Sequence, residues 1–284
     1  MKKLGVGIYG RNGHQIQEVL AAGHPEAVLA AESESLDELL GNPRVELVSL
    51  CSPRRADQAR DAIRCLEVGK HVYAEKPCAM VEEELDEIIA VANATGRQFR
   101  EMGGTYLQSP YREVRAAIRD GLIGEVAQVI AQKSYPWADW RPADEAVDGG
   151  LARQVGVYIA RFVEHVAGQK IAAIELWETA RAAAFLIRLE NGGVASAICN
   201  YLNPMGPTRW GWESVRVFGS KGAIESDPLR LIVTGQPPRE LPVTAPVEDY
   251  FTLYARSLRG GTPMPMTLEE ELSPTRWVIR AKKS

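Results

Sequence analysis

The chain carries no excess of positive charge: 33 lysines and arginines face 37 aspartates and glutamates over 284 residues, a formal net charge of −4. A nucleic-acid binder shows a basic stripe or surplus that meets the phosphates. The pairs Arg54-Arg55 and Lys282-Lys283 are too short to make one, so no nucleic-acid partner is expected. No apolar run reaches the roughly 18–20 residues that a membrane span requires. The opening Lys2-Lys3 resembles the start of a secretory leader, but Arg11 and several glycines interrupt the apolar stretch behind it. The cysteines number only four (Cys51, Cys65, Cys78 and Cys199), with no CxxC and no Cys/His ligand spacing, so no metal site is expected. Such thiols read as small buried hydrophobes in a reducing compartment, which makes a cytoplasmic location the expectation. Repeats and low-complexity segments are also missing. What remains, 45% hydrophobic and 25% charged residues, is the composition of an ordinary globular protein long enough for two domains.

Strand-like and helix-like stretches alternate through the first hundred residues. Leu4–Tyr9, Ala27–Ala31, Val45–Cys51 and His71–Ala74 read as short apolar strands. Gln15–Ala22, Leu36–Leu40, Asp57–Val68 and Val81–Ala94 read as helices, the last two closed by Gly69 and Gly96. Strands that are apolar on both faces and separated by helices form a parallel, doubly wound sheet. After about residue 102 the rhythm changes. Val126–Ser134, Ile171–Thr179, Phe185–Glu190, Val194–Tyr201, Glu213–Gly219 and Leu229–Val233 follow as strands, with turns at Asn191-Gly192-Gly193 and Gly219–Gly222 and helices near 110–120 and 151–167. Pro237–Pro246 reads as a surface loop. The fold class expected is therefore α/β: a Rossmann domain over 1–102, then an α+β domain over 103–284 built on a mostly antiparallel open sheet. The last helix is placed so that it could return to the first domain.

A G-x-G-x-x-G pattern occurs at Gly5, Gly7 and Gly10. Its first two glycines lie inside the strand, where they cannot form the turn that presents backbone N–H groups to a pyrophosphate. The turn that meets the mechanical requirement is Gly10-Arg11-Asn12-Gly13-His14-Gln15, at the strand's C-terminal edge. There Gly10 takes the first glycine position, Asn12 the second and Gln15 the third. Asn is the side chain best tolerated in a left-handed backbone, and Gly13 can shift the closest approach one residue along. Glu32 follows 22 residues after Gly10, at the end of the second strand. A carboxylate there accepts hydrogen bonds from a ribose diol and repels a 2′-phosphate, which favours NAD over NADP; a solvated strand end would look the same.

Val48–Pro53 followed by Gly69-Lys70-His71-Val72-Tyr73-Ala74-Glu75-Lys76-Pro77 resembles the Gfo/Idh/MocA oxidoreductases, the glucose–fructose oxidoreductase and inositol dehydrogenase type, whose hallmark is a strand ending in Glu-Lys-Pro. Trp140-Arg141, Gly149-Gly150, Gly156, Gly168 and Gly219–Gly222 extend the resemblance over nearly the whole chain. It implies an NAD(P)-dependent dehydrogenase of a sugar, cyclitol or related polyol, with the substrate between the nicotinamide and the second-domain sheet. It assigns Gly10, Arg11, Asn12, Gly13, His14, Glu32, Ser52, Pro53, Glu75 and Lys76 to the cofactor, and Trp140, Arg141, Gln154 and Tyr158 to the substrate. Lys76 is the expected catalytic cation, hydrogen-bonded to the reacting oxygen; the other reading is a strand-end surface lysine. Trp137, Trp210 and Trp212 suit stacking on sugar faces and equally suit packing or a subunit interface.

The chain departs from the family pattern where protons move. The usual Asp and His fall on Gln154 and Tyr158, a later Asp falls on Arg161, and the Pro-Asn-x-x-His loop is Pro53-Arg54-Arg55-Ala56-Asp57. Gln154 can hold a hydrogen bond but moves no proton at neutral pH. Three roles remain open for Tyr158: replacement acid/base, substrate orienter, or a helix aromatic with its hydroxyl at the rim. Among the histidines, His14 sits in the phosphate turn, His24 beside Pro25, His71 in a strand, and His165 two turns beyond Tyr158. Arg100-Glu101 in an otherwise apolar strand reads either as a base near the cleft or as a solvated edge strand. Two alternatives to a polyol dehydrogenase share the fold: a non-catalytic nucleotide-binding regulator, and a reductase of a non-sugar substrate of the biliverdin reductase type. The open sheet face points to a homodimer or homotetramer.

Overall fold

A computed structural model describes residues 2–139, 141–205, 210–245 and 248–283. The chain divides into two units. The first holds Met1–Gly103, Pro142–Gly150 and Glu248–Leu272; the second holds Gly104–Arg141, Leu151–Val247 and Ser273–Ser284.

In the first unit, strands β1 (Leu4–Tyr9), β2 (Ala27–Ser33), β3 (Leu47–Leu50), β4 (His71–Ala74) and β5 (Phe99–Glu101) form one sheet in the order β2-β1-β3-β4-β5, every pair parallel. Helices α1 (Gln17–Ala21), α2 (Leu36–Gly41), α3 (Gln58–Glu67) and α4 (Glu82–Thr95) make the crossovers. Leu47, Val48, Leu50 and Ala74 are fully buried, as strands covered on both faces require. The strand order reverses between β1 and β3, and ligand sites of such sheets lie beyond the strand ends at that point. α1 is shorter than the expected Gln15–Ala22, because the Gln15 side chain is drawn back to carbonyls at the strand ends.

In β5 the solvated reading of Arg100-Glu101 does not hold. Arg100 and Glu101 are buried rather than solvated, although β5 is an edge strand. Arg100 Nη1 donates to Glu271 Oε2 at 3.0 Å, Glu271 Oε1 accepts from the Glu101 backbone N–H at 3.1 Å, and the Glu101 carboxylate accepts from Cys78 N–H at 2.8 Å. A buried charge needs such partners.

The second unit is built on an eight-stranded sheet. Its strands are β6 (Val126–Ser134), β7 (Ile171–Glu178), β8 (Ala182–Leu189), β9 (Val194–Asn200), β10 (Trp212–Gly219), β11 (Gly222–Ser226), β12 (Leu229–Val233) and β13 (Arg239–Glu240). The order is β13-β12-β11-β10-β6-β9-β8-β7, antiparallel throughout except for the parallel β6–β9 pair. β13 falls inside the stretch expected to be loop. Helix α5 (Tyr111–Arg119) belongs to this unit and α6 (Glu145–Asp148) to the first. A continuous helical stretch then runs through a π-turn at Ala152–Gly156, α7 (Val157–Arg161) and a second π-turn at Phe162–Val166. A Cβ on Gly156 would come within 2.6 Å of Phe185 Cζ, so glycine is what lets this helix lie on β8. Helix α8 (Tyr250–Ser257) lies in the first unit, and α9 (Leu268–Lys283) begins there. The sheet's other face leaves Ile130, Leu186, Val194 and Ile198 exposed.

Candidate active site

Three loops converge where the first unit's strands end: Gly10–Gln15 after β1, Cys51–Arg55 after β3, and Glu75–Pro77 after β4. Gly10 has φ +70°, and a Cβ there would lie 1.9 Å from the Cys51 carbonyl oxygen, so no other residue fits the turn. Gly13 has φ +139°, and a Cβ on it would meet Glu75 Cγ at 2.8 Å.

Asn12 corrects one expectation. Among the described residues only glycines have positive φ, so Asn12 is not left-handed. It acts through its side chain: Nδ2 donates to the Pro53 carbonyl at 3.0 Å and to that of Val147. Gln15, at the third glycine position, ties strand ends together. Its Nε2 donates to the carbonyls of Tyr9 and Gly10, both at 2.9 Å, and its Oε1 accepts from the Ser49 hydroxyl at 2.6 Å.

Glu75 is the centre of the site. It is 1% exposed, and its Oε2 accepts from the His14 backbone N–H at 2.6 Å and contacts His14 Nδ1 at 2.8 Å, while Oε1 accepts from Lys76 N–H at 2.8 Å. Burial pushes this carboxyl up. The Lys76 charge, the hydrogen bond and charge of His14 and the Arg55 guanidinium outweigh it and hold the group at about 2. An ionised carboxylate only accepts, so His14 Nδ1 carries a proton. Lys76 is 6% exposed, with Nζ 4.0 Å from Glu75 Oε1, and so is not the surface lysine of the other reading.

Beneath these groups runs a buried scaffold that sequence reasoning missed. Gln58 donates to the Glu75 carbonyl, and its Oε1 accepts from Ser52 N–H at 3.0 Å and Arg55 Nη1 at 2.7 Å. Arg55, fully buried, also donates to the Asn12 carbonyl. Ser52, assigned to the cofactor by the resemblance, turns inward: its hydroxyl donates to Asp61 Oδ2 at 2.8 Å. Only their places, Arg55 within the departed Pro-Asn-x-x-His loop and Gln58 just after it, could have pointed to them.

At the β1–β2 edge, Ile8, Gly10, Arg11, Glu32, Ser33 and Glu34 line a cavity of about 220 Å³. Arg11 and Glu32 form an ion pair across it, with their side chains 67% and 37% exposed. Such a pair is weak and exchangeable. A hydroxyl, a carboxylate and a guanidinium around a cavity of this size beside the glycine turn fit the adenosine end of a dinucleotide.

Tyr158, Gln154 and Arg141 belong to the second unit. Tyr158 and Gln154 are both half-buried on the helical stretch. Lys133 Nζ lies 4.2 Å from the Tyr158 ring centroid and the Arg161 guanidinium 5.6 Å. Arg141 stacks on Tyr201 at 3.9 Å, Tyr201 meets Trp137 edge-on, and Arg181 covers Trp137 at 4.1 Å. Trp140 lies outside the described residues. The remaining histidines are structural: His24 bonds Thr252, His71 Nδ1 accepts from Gln98 N–H, and His165 stands edge-on to Tyr106. Among the described residues no cluster of His, Cys, Asp and Glu could hold a metal ion, and no helix is long and apolar enough to cross a membrane.

A doubly wound sheet with a glycine turn at its switch point is the architecture of a dinucleotide-binding domain. Residues 4–102 match the oxidoreductase family with an NAD-binding Rossmann fold, and residues 111–225 match the GFO/IDH/MocA C-terminal domain. The chain belongs to the Gfo/Idh/MocA family of oxidoreductases. It is 26% identical to the trans-1,2-dihydrobenzene-1,2-diol dehydrogenase of Sus scrofa over 76% of this chain and 66% of that protein. Among solved structures, the aldose-aldose oxidoreductase of Caulobacter crescentus, complexed with glycerol, superposes with TM-score 0.82 at 20% identity, covering 99% of this chain and 98% of the other. A protein of gentamicin A biosynthesis in complex with NAD superposes with TM-score 0.78 at 19% identity, covering 100% and 94%.

Proposed function

We propose that the protein is an NAD(H)-dependent oxidoreductase that interconverts a secondary alcohol and a ketone on a sugar, cyclitol or related polyol. The observation that carries this reading is the buried Glu75–Lys76 strand end beside the glycine turn. The aldose-handling neighbour and the diol dehydrogenase relative support the substrate class.

Gly10, Arg11, Asn12, Gly13, His14 and Glu32 would hold the cofactor, which when bound supplies the hydride chemistry. Glu32 accepts from the ribose diol once Arg11 yields it, and its negative charge disfavours a 2′-phosphate, so NAD is preferred to NADP. Lys76 presents an ammonium in a site shielded from water and stabilises the alkoxide that develops on the substrate oxygen. Glu75 lies 4.0 Å from that ammonium and fixes His14. Tyr158 gives or takes the hydroxyl proton, taking the place of the family's histidine, and Gln154 and Arg141 orient the substrate by hydrogen bonds. We assign Trp140 to the same substrate surface. The aliphatic sheet face around Ile130, Leu186, Val194 and Ile198 suits burial against a second copy of the chain, giving a homodimer or homotetramer.

The test is calorimetric titration with NADH and NADPH, followed by a screen of aldoses, inositols and diols against dihydrodiols and bilins. Micromolar NADH affinity, weaker NADPH affinity and polyol turnover are expected. Binding without turnover of any compound would instead favour a regulator on the same fold.

A further inference from the structure

Lys133 has no counterpart among the residues that the sequence singles out. It lies on β6, in the interior of the second unit's sheet, and is 2% exposed. Removing an ammonium from water costs several kcal/mol unless close partners offset it. Glu213, directly opposite on β10, pairs with its Nζ, and the other carboxylate oxygen of Glu213 accepts from the Tyr111 hydroxyl at 3.0 Å. Two aromatic faces also meet it: Nζ lies 4.8 Å from the Tyr135 ring centroid and 4.2 Å from that of Tyr158. Arg161, also buried, brings a second cation to the Tyr158 ring at 5.6 Å.

We propose that Lys133 is a positioning residue for Tyr158, holding the ring by its face and stabilising the negative charge that forms on the phenol oxygen as the O–H bond breaks. The inference rests on Tyr158 being the proton donor and acceptor. A cation over a neutral ring interacts with its quadrupole alone, whereas over a phenolate it meets a full opposite charge. The interaction therefore strengthens along the reaction, as a catalytic contact must. The proton leaves Tyr158 for the substrate oxygen during ketone reduction and returns during alcohol oxidation; Lys133 keeps its own proton throughout. Glu213 also holds the ammonium, so its tether does not depend on substrate.

Nitration by tetranitromethane at about pH 8 tests this, because the reagent attacks the phenolate and needs neither substrate nor cofactor. Tyr158 nitration is quantified by peptide mass spectrometry in the full chain, wild type against Lys133→Met and Lys133→Arg, with folding verified by thermal melting. The rate is expected to fall roughly tenfold in Lys133→Met and to recover in Lys133→Arg. Where methionine is not accommodated beside Glu213, Lys133→Gln is measured in its place. Unchanged nitration in the neutral variant, or no recovery with arginine, overturns the proposal. In turnover, kcat falls while KM holds if Lys133 acts through Tyr158. Full activity in Tyr158→Phe would overturn the tyrosine's role and leave the nitration result standing, so the two failures are distinguishable.

Discussion

The Glu75 carboxylate and the His14 residue are joined twice: Oε2 accepts from the His14 backbone N–H at 2.6 Å and from Nδ1 at 2.8 Å. One buried anion thereby shapes the phosphate turn and, through its other oxygen, lies 4.0 Å from the ammonium of Lys76. The glycine turn after β1 and the Glu75-Lys76 strand end are a single electrostatic unit.

That unit predicts an acid transition. The Glu75 carboxyl is held at about 2 when folded and titrates near 4.3 when unfolded. Its depressed value means that its stabilisation is complete above the unfolded pKa and is lost as pH falls from about 4.3 toward 2. Glu75→Gln is expected to lower stability at neutral pH by ~2–3 kcal/mol and to flatten the loss of stability below about pH 4.5. Denaturant melts at neutral and acid pH check this. A wild-type acid slope that persists in the variant would place the titrating group elsewhere.

Asn12 works as a tether and not as a left-handed turn residue, so restoring a glycine there gains nothing. Asn12→Gly is expected to destabilise by ~1–2 kcal/mol, the loss of two side-chain hydrogen bonds to the carbonyls of Pro53 and Val147. Chemical denaturation measures it. An increase in stability would mean that the backbone at Asn12 is strained after all.

In the proposed function the Arg11–Glu32 pair would set nucleotide preference. In Glu32→Ala the guanidinium is released toward the position a 2′-phosphate would take. The ratio of NADPH to NADH affinity is expected to rise by about tenfold or more. Calorimetric titration of both nucleotides reads it directly, and an unchanged ratio would remove Glu32 from the ribose site.

Much of this was legible from local pattern. The strand–helix alternation, the turn beginning at Gly10 rather than Gly5, and the Glu75-Lys76-Pro77 strand end all depend on neighbours a few residues apart. The hairpins at Gly192 and Gly219 were equally visible, since short glycine-containing turns carry their own signature. Partners distant in the chain were not. Glu271 lies 171 residues from the Arg100 it neutralises, and Glu213 lies 80 from Lys133, so neither buried pair could be read from neighbouring residues. Asn12 was misread for a related reason: residue preference predicts backbone angle, while its carbonyl acceptors are set by tertiary contacts, Val147 being 135 residues away. Composition gives no access to such pairings, because a buried ion pair and two surface charges have the same sequence.

Absorbance at 340 nm measures most directly whether the Lys76 ammonium promotes hydride exchange between nicotinamide and a polyol. Wild-type protein and Lys76→Ala are compared with NAD and the best substrate from the aldose, inositol and diol screen. The account predicts wild-type turnover that falls by roughly 10²–10³-fold in the variant while NADH affinity changes little. Equal turnover in both proteins, or no nucleotide binding by the wild type at millimolar concentration, would contradict it.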